Sequence, residues 1–322
     1  MSADRLIKGS KVTYIYQIIT PGLSCFILTI ILVHISIKLA PFIGALDYPG
    51  ALKIHSDPTP RVGGMAIFLS VFFISLLFSS AISNIHNVAK VLISLSVIGI
   101  FLLGVIDDIK NLNANVKVIF QILNVLLAAI GLFTLYNSSP IVFYLIIFFF
   151  MLGYTNAFNL IDGMDGLASG LAIFIAIGLL IISLVSSQQF TVLGTTLIIG
   201  ASLGFLFFNL NPAKIFLGDS GSTFLGFSLG ILISMIWLDS DNKLVFFPLL
   251  IIAGIPLFDT CLTIIRRLIK GQSLFTGDRN HLYDLMLQKG FTVKQTLLFL
   301  YILSFFLSAS GTMLYILIEF KN

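Results

Sequence analysis

Continuous apolar runs of about 20 residues recur along the chain and constrain its fold more than any other feature. A helix of about 20 residues is the length needed to cross the hydrocarbon core of a bilayer. The chain is 58% hydrophobic and only 10% charged, whereas ordinary soluble domains carry about 25% charged residues. The runs lack the polar–apolar alternation of a membrane β-barrel. The sequence therefore predicts an all-α integral membrane protein, with residues 1–322 forming a single domain.

The predicted spans are separated by polar connections of two kinds. Connections 41–61, 107–115, 159–166, 209–218 and 266–294 are rich in Asp, Asn, His, Lys and Gly, whereas the connections that alternate with them are short and plain. Because successive spans cross in opposite directions, all the rich connections are predicted to lie on one face. The ten spans are about 16–40, 62–83, 89–106, 116–135, 141–158, 167–186, 191–208, 222–238, 244–268 and 295–318.

The distribution of positive charge predicts which face this is. Twelve of the 18 Lys and Arg residues lie on or near the rich face, which places that face in the cytoplasm by the positive-inside rule. The basic N-terminus, with Arg5, Lys8 and Lys11, runs against this orientation. The net charge of +4 is too small to indicate a nucleic-acid partner. The two cysteines lie within apolar runs and give no support to a disulfide framework.

One polar cluster interrupts the apolar pattern between the fifth and sixth spans. Asn156, Asn159, Asp162 and Asp165 follow one another at a spacing of three. On a regular helix they would fan across about half the circumference, but the nearby Gly163–Gly166 segment predicts a break that lets several of these oxygens converge. Polar groups at the edge of a membrane core are costly, so the cluster is predicted to serve a ligand.

Two further carboxylate groups lie at span ends. Asp107 and Asp108 close the third span, and Lys117 opens the fourth. Asp219 precedes the eighth span within a Gly-Asp-Ser-Gly run, which suits a helix N-terminus that approaches phosphates. The alternatives are a solvated helix end for the Asp pair and a simple N-cap for Asp219.

Basic residues accompany these carboxylates. Lys53, His55 and Arg61 lie in the first rich connection, where they could bind anions or belong to a structural loop. Arg279 and His281 lie in the last one. Asp259 precedes Arg266 by seven residues, and their shared helix face predicts a structural ion pair.

These residue types point to a reaction class. Carboxylate and amide oxygens favour a hard cation such as Mg²⁺, whereas no Cys or His set suits zinc. Mg²⁺ among basic groups suits a pyrophosphate, and a membrane protein offers a lipid co-substrate. The residues predict Mg²⁺-dependent transfer between a nucleotide-linked donor and a lipid phosphate.

Four motifs resemble those of a known family. They are Asp107-Asp108, the run from Asn156 to Ala168, the run from Asn211 to Ser222, and the loop 47–64 that ends in Pro-Arg-Val-Gly-Gly. In this order they resemble the polyprenyl-phosphate N-acetylhexosamine-1-phosphate transferases of glycosyltransferase family 4, over about residues 47–290. The resemblance implies ten or eleven spans in a bacterial inner membrane and a cytoplasmic active face.

The resemblance also implies an activity. It is the transfer of a sugar-1-phosphate, with GlcNAc-1-phosphate preferred, from a UDP-N-acetylhexosamine to undecaprenyl phosphate. UMP is released, and the product starts a surface polysaccharide, O-antigen or wall polymer. Mg²⁺ is the implied cofactor, with Mn²⁺ as a substitute. The oligomeric state stays open, with a homodimer as one candidate.

By motif position, the resemblance implies a role for each site residue. Asn159 and Asp219 would hold Mg²⁺. Asp107 and Asp108 would act at the lipid phosphate, one of them as a base, with direct attack and a covalent aspartyl intermediate both open. The remaining residues are Lys117 as a phosphate contact, Asp162 and Asp165 as nucleotide contacts or loop braces, and Arg279 and His281 at the donor.

One departure from the family pattern leaves the sugar open. The GlcNAc-transferring branch often has a His-x-His-His cluster in the last loop, whereas this chain has only His281 followed by Leu-Tyr-Asp. The alternative within the same chemistry is a phospho-MurNAc-pentapeptide transferase of peptidoglycan synthesis. An alternative of another class is a cation-coupled transporter, for which broken helices in mid-membrane and an inverted repeat would be expected.

Overall fold

The computed structural model describes residues 3–48, 58–78, 87–137, 139–271 and 280–320, with side chains from residue 18 onward, and is almost entirely helical. Among these residues nine helices are long and apolar enough to cross a membrane, and α2 is a shorter apolar helix. The predicted all-α integral membrane protein is confirmed. The helices are α1 (Ala3–Leu39), α2 (Gly63–Leu77), α3 (Asn87–Lys110), α4 (Ala114–Leu135), α5 (Ile141–Ile161), α6 (Leu167–Val185), α7 (Gln189–Asn209), α8 (Gly218–Asp239), α9 (Phe246–Ile269), α10 (Leu282–Gln288) and α11 (Val293–Glu319).

Each predicted span corresponds to a helix, and the differences lie at the helix ends. Helix α5 continues to Ile161 and so carries Asn159, whereas the prediction ended at residue 158. Helix α8 begins at Gly218 and carries Asp219 in its first turn, whereas the prediction began at residue 222. Hydropathy misses these turns because their polar side chains find partners within the protein. The second span was predicted to reach residue 83, but α2 ends at Leu77, and residues 79–86 lie outside the described ranges.

A short strand pair connects α1 to α2. Strands β1 (Leu46–Asp47) and β2 (Thr59–Pro60) are antiparallel, with Leu46 opposite Pro60. The segment after β2 is fixed to the loop before α8, because Gly63 N–H donates to Phe216 O at 2.9 Å and Gly64 N–H to Leu217 O at 2.8 Å. These backbone bonds place Arg61 beside the start of α8.

Helix α8 lies at the centre of the bundle and is buried along almost all its length. Small residues let its neighbours approach closely, as is common where membrane helices pack. A Cβ on Gly104 of α3 would collide with Ser220 of α8, and a Cβ on Gly226 of α8 would lie 2.7 Å from the Phe158 side chain of α5. The first turn of α8 is therefore held against the end of α3, and its third turn against the end of α5.

Helix α9 is broken near its middle. Gly254 has φ 54° and ψ −132°, which is not helical, and Pro256 follows it within the same helix. Proline lacks the N–H that an α-helix would use at that position. The buried Tyr154 hydroxyl of α5 donates to the Ala253 carbonyl at 3.1 Å and so satisfies one backbone group at the break.

Candidate active site

Hydrogen bonds and ion pairs around Asp219 bring together residues that are distant in the sequence. Asp219 Oδ2 lies 3.1 Å from Arg61 Nη2 and 3.4 Å from Lys117 Nζ. Asp219 Oδ1 accepts a short hydrogen bond from Asn159 Nδ2. The contributing segments precede α2, open α4, end α5 and open α8. The expectation that the polar connections share one face is therefore confirmed for these four.

Lys117 joins two carboxylates. Its Nζ lies 2.5 Å from Asp107 Oδ2 and 3.4 Å from Asp219 Oδ2. The other oxygen of Asp107 accepts the Leu112 N–H at 2.7 Å. The Lys117 side chain is 21% exposed, whereas that of Asp107 is 4% exposed. The ammonium group is thus held by two acids at a position that a ligand's phosphate can reach.

Asp108 has a different set of contacts and caps α8. Its Oδ1 accepts the Asp219 N–H at 2.7 Å, and its Oδ2 accepts the Ser220 N–H at 3.0 Å. Arg61 Nε lies 3.3 Å from Oδ1. A carboxylate at a helix N-terminus satisfies free N–H groups and is stabilised by the helix dipole. The two adjacent acids therefore serve different partners, as predicted, and Asp108 fixes the turn that carries Asp219.

The donor set around Asn159 suits a hard cation. Asn159 Nδ2 also donates to Ser222 Oγ at 3.0 Å, so the carboxamide lies between Asp219 and Ser222. Rotating the carboxamide about its Cβ–Cγ bond would present Oδ1 in place of Nδ2 without moving the helix. Within the described residues no group of three His, Cys, Asp or Glu side chains forms a metal site. Mg²⁺ is commonly held by one or two carboxylates together with substrate phosphates, which fits this set.

The pKa values of Arg61 and Asp162 are both shifted by the charges around Asp219. Burial by itself would lower the pKa of the Arg61 guanidinium, but Asp219 and Asp108 raise it above its ordinary value, so Arg61 stays charged. Burial raises the pKa of the Asp162 carboxyl well above its usual range, and the negative charge of Asp219 raises it further. Asp162 lies at the C-terminal end of α5, close enough to Asp219 and Arg61 for their charges to affect its pKa.

Asp165 braces a loop. Its Oδ2 accepts the Asn211 side-chain amide at 3.0 Å and the Ala213 N–H at 3.1 Å. Asn209 completes the attachment, because its Oδ1 accepts the Gly166 N–H at 3.0 Å. The α5–α6 and α7–α8 connections are therefore tied together. Of the two roles predicted for Asp165, these bonds favour the brace.

The break predicted near Gly163 and Gly166 is present, because α5 ends at Ile161 and α6 begins at Leu167. The four polar residues of this region do not converge on one point, however. Asn156 donates to Gln121 Oε1 at 3.0 Å, away from the partners of Asn159 and Asp165. The different partners follow from the fan of positions that a spacing of three produces on a helix.

His281 is placed by a residue that was predicted to pair elsewhere. Asp259 Oδ2 lies 2.6 Å from His281 Nδ1, and Asp259 Oδ1 accepts the Leu282 N–H at 2.7 Å. The predicted Asp259–Arg266 ion pair is therefore wrong. Arg266 instead donates to the Asn280 carbonyl at 2.7 Å. Residues seven apart on a helix share a face but are separated by two turns, about 10.5 Å along the axis, whereas side chains that pair on a helix are three or four residues apart.

Three predicted site residues cannot be placed. Lys53 and His55 lie in the range 49–57, and Arg279 lies in the range 272–279, both outside the described residues. The sequence analysis gave no site role to three further residues that the structure places beside site residues, namely Ser222, Asn209 and Asp259, the partner of His281. Ser222 lies one turn after Gly218, and that helical spacing next to Asp219 was the available signal.

Comparisons with known proteins give consistent results. A family model described as Glycosyl transferase family 4 matches residues 90–237. A Bacillus subtilis (strain 168) protein called probable undecaprenyl-phosphate N-acetylglucosaminyl 1-phosphate transferase is 34% identical over 305 residues, which cover 91% of this chain and 82% of that protein. A Mycobacterium tuberculosis (strain ATCC 25618 / H37Rv) decaprenyl-phosphate N-acetylglucosaminephosphotransferase is 30% identical, with 87% and 78% covered. An Escherichia coli O157:H7 undecaprenyl-phosphate alpha-N-acetylglucosaminyl 1-phosphate transferase is 26% identical, with 91% and 83% covered.

Proposed function

The chain belongs to glycosyl transferase family 4, and on that premise we propose that it transfers N-acetylglucosamine-1-phosphate from UDP-N-acetylglucosamine to undecaprenyl phosphate. The products are a lipid-pyrophosphate-sugar and UMP. One observation carries the proposal: Lys117 joins Asp107 to Asp219 beside Arg61 at one face of the bundle. Two cations held among acids at a membrane face can bind both the pyrophosphate of a donor and the phosphate of a lipid. The names of the relatives support N-acetylglucosamine as the sugar.

In this mechanism a phosphate oxygen of the lipid bonds to the sugar-bearing phosphorus of the donor. The bond from that phosphorus to the bridging oxygen breaks, and that oxygen leaves with UMP. Arg61 and Lys117 bind phosphate oxygens and stabilise the negative charge of the transition state. Asp107 accepts the proton of the lipid phosphate when that phosphate is still protonated. Asp108 holds the first turn of α8 and therefore positions Asp219.

Asp219 and Asn159 would hold Mg²⁺, with Mn²⁺ as a substitute. When bound, the ion would neutralise charge on the donor pyrophosphate. Among the described residues of the cluster, Asp107, Asp108 and Asp219 outnumber the cations Arg61 and Lys117. A divalent cation would exceed this single negative charge and leave the cluster net positive, which suits a pyrophosphate. Asp162 would lie close to the bound donor.

The protein would act in the bacterial inner membrane with this face in the cytoplasm, where UDP-sugars are made. Its product would start a surface polysaccharide, O-antigen or wall polymer. The phospho-MurNAc-pentapeptide transferase alternative is less well supported, because the relatives described above are named as N-acetylglucosamine phosphotransferases or N-acetylglucosaminyl 1-phosphate transferases. Of the features expected of a transporter, a broken helix is present in α9. The transporter alternative is nevertheless disfavoured, because the paired acids lie at helix ends on one face and the relatives are named as transferases. Arg279 and His281 would contact the sugar nucleotide.

A donor panel tests the proposal. Purified protein is incubated with Mg²⁺, undecaprenyl phosphate and each of UDP-GlcNAc, UDP-GalNAc and UDP-MurNAc-pentapeptide, and UMP is measured. UMP release with UDP-GlcNAc is expected, and it should stop on addition of EDTA and return with excess Mg²⁺. Asp219→Asn should abolish release, and the exposed Asp241→Asn on the opposite face serves as the matched control. Release only with the pentapeptide donor would establish the alternative instead.

A further inference from the structure

We infer that Asp259 is a positioning residue that fixes the ring orientation and the protonated nitrogen of His281. This inference rests on the proposed function. Both residues are 4% exposed, and they meet at 2.6 Å between Asp259 Oδ2 and His281 Nδ1. The second Asp259 oxygen accepts the Leu282 N–H, the first N–H of α10. One carboxylate therefore holds both the side chain of His281 and the backbone that follows it.

These two contacts determine which His281 nitrogen carries a proton. An ionised carboxylate can only accept hydrogen bonds, so Nδ1 must be the donor in this pair. In a neutral imidazole the Nε2 atom is then the acceptor. Asp259 therefore presents Nε2 of His281 in one defined state, in the way that buried acids orient catalytic or metal-binding histidines elsewhere.

The Asp259–His281 pair also places the start of α10 against the loop that follows α5. The His281 ring lies parallel to that of Tyr283, with centroids 5.9 Å apart. The Tyr283 hydroxyl packs directly on the backbone of Gly163, where an added Cβ would overlap it. Gly163 follows Asp162, whose carboxyl feels the charges of Asp219 and Arg61. The Asp259–His281 pair, through Tyr283, therefore connects the part of α9 after its break to the loop that borders the Asp219 cluster.

The substitution Asp259→Asn separates positioning from simple support. The Asn oxygen can still accept the Leu282 N–H, so the start of α10 is kept. Its amide nitrogen then faces His281 Nδ1, which must become the acceptor, and the proton moves to Nε2. We expect kcat/KM for the UDP-sugar to fall roughly 10- to 100-fold, with the KM for undecaprenyl phosphate unchanged. Asp259→Glu, which keeps an acceptor-only group, should restore part of the loss, and Asp241→Asn is the control.

A double-mutant cycle tests whether Asp259 acts through His281. If it does, Asp259→Asn should cause less than a twofold further loss in a His281→Ala background. An equal loss in both backgrounds would overturn the inference. So would wild-type kinetics in Asp259→Asn, or a loss of folded protein with unchanged activity per folded molecule, because each would leave His281 without dependence on Asp259.

A measurement without turnover keeps this test separate from the proposed function. The chain has four histidines, and ¹⁵N-histidine NMR with His281→Ala as the assignment variant can identify the His281 signals. We expect a protonated Nδ1 in the wild type and an unprotonated Nδ1 in Asp259→Asn. An unprotonated Nδ1 in the wild type would overturn the inference. Inactivity toward all UDP-sugars with the expected NMR pattern would overturn only the proposed function.

Discussion

At the scale of residues, the site consists of acids that share a small number of cations. Asp219 contacts both Arg61 and Lys117, and Lys117 also contacts Asp107. Because the acids are largely buried, the cost of removing these charges from water offsets much of their attraction to the cations, so the pairs contribute little net stability. Their arrangement matters more for function, because preorganised charges cost no reorganisation when a phosphate binds.

The two adjacent aspartates are expected to respond differently to the same substitution. Asp108→Asn places an amide N–H₂ against a backbone N–H of α8, so it should cost about 1–3 kcal/mol of stability and also lower activity. Asp107→Asn keeps an acceptor for the Leu112 N–H but turns its amide toward Lys117, whose ammonium keeps Asp219 and part of its exposure to water. We therefore expect kcat to fall by about 10²- to 10⁴-fold with a smaller loss of stability than in Asp108→Asn. Thermal unfolding in detergent and UMP release measure the two effects. Equal losses of stability in both variants would contradict the division of roles.

The shifted pKa of Asp162 is expected to make the stability of the folded protein depend on pH. Its pKa in the folded protein is raised by burial and by Asp219, so its favourable contribution is complete below the unfolded pKa of about 3.9. That contribution is lost as the pH rises through the folded value. Asp162→Asn cannot ionise and should therefore be more stable than the wild type at about pH 8. The difference should disappear as the pH approaches about 4.

The measurement is the Tm of both proteins across this pH range in EDTA, where each kcal/mol corresponds to roughly 2–4 °C. Added Mg²⁺ should narrow the difference, because a nearby cation favours the ionised carboxyl. A difference that is constant with pH, or a wild type that is more stable at about pH 8, would contradict this account of Asp162.

The sequence predicted these residues better than it predicted their contacts. Asp107, Asp108, Asn159 and Asp219 were found because acids and amides are rare in apolar chains. The capping of α8 by Asp108 was not predictable, since it joins positions more than 100 residues apart. The Asp259–His281 pair was missed for a similar reason, because it depends on where α9 bends.

At the scale of elements, helix ends and one helix break position the chemistry. The start of α8 approaches α3 closely only because Gly104 has no side chain to meet Ser220. The break in α9 has a backbone conformation at Gly254 that side-chain-bearing residues rarely adopt. Hydropathy predicted α8 and α9 as continuous spans, because hydropathy indicates which segments are apolar and carries no information on backbone conformation.

A pair of glycine substitutions tests the importance of the α9 break. A Cβ at Gly254 would meet only Leu307 Cδ1 at 3.7 Å, so the cost of Gly254→Ala is conformational, about 1–3 kcal/mol. Activity should fall as well, because Asp259 lies on the segment after the break. Gly153 in α5 has open space around a Cβ, so Gly153→Ala is the matched control and should change stability by less than about 1 kcal/mol. Equal stability of the two variants would contradict the strained break.

At the scale of the whole molecule, alternating spans bring distant polar segments to one face. Counting spans predicted this arrangement, and the contacts of Asp219 confirm it for four of the segments. The plain connections also meet one another, since Gln188 donates to Asp239 at 2.8 Å and Ser240 to Glu319 at 2.5 Å at the other face. The face on which each connection lies is predictable because it depends only on the number of spans that precede it. The packing order of the helices depends on side-chain fit and was not predicted.

The orientation of the molecule is tested by cysteine labelling in intact cells. Lys110 lies on the site face, Asp241 lies on the opposite face, and both are exposed. A membrane-impermeant maleimide should label Asp241→Cys and leave Lys110→Cys at the background of the parent chain, which retains Cys25 and Cys261. Permeabilised cells should label both variants. The reverse pattern would place the Asp219 cluster outside the cytoplasm.

The central claim is that the Asp219 cluster transfers a sugar together with its phosphate. The most direct measurement identifies both products of a reaction of UDP-GlcNAc with undecaprenyl phosphate. We predict UMP as the nucleotide and a lipid whose mass has increased by one GlcNAc-phosphate unit, with neither product formed by Asp219→Asn. UDP with a lipid that has gained only the sugar would contradict the claim.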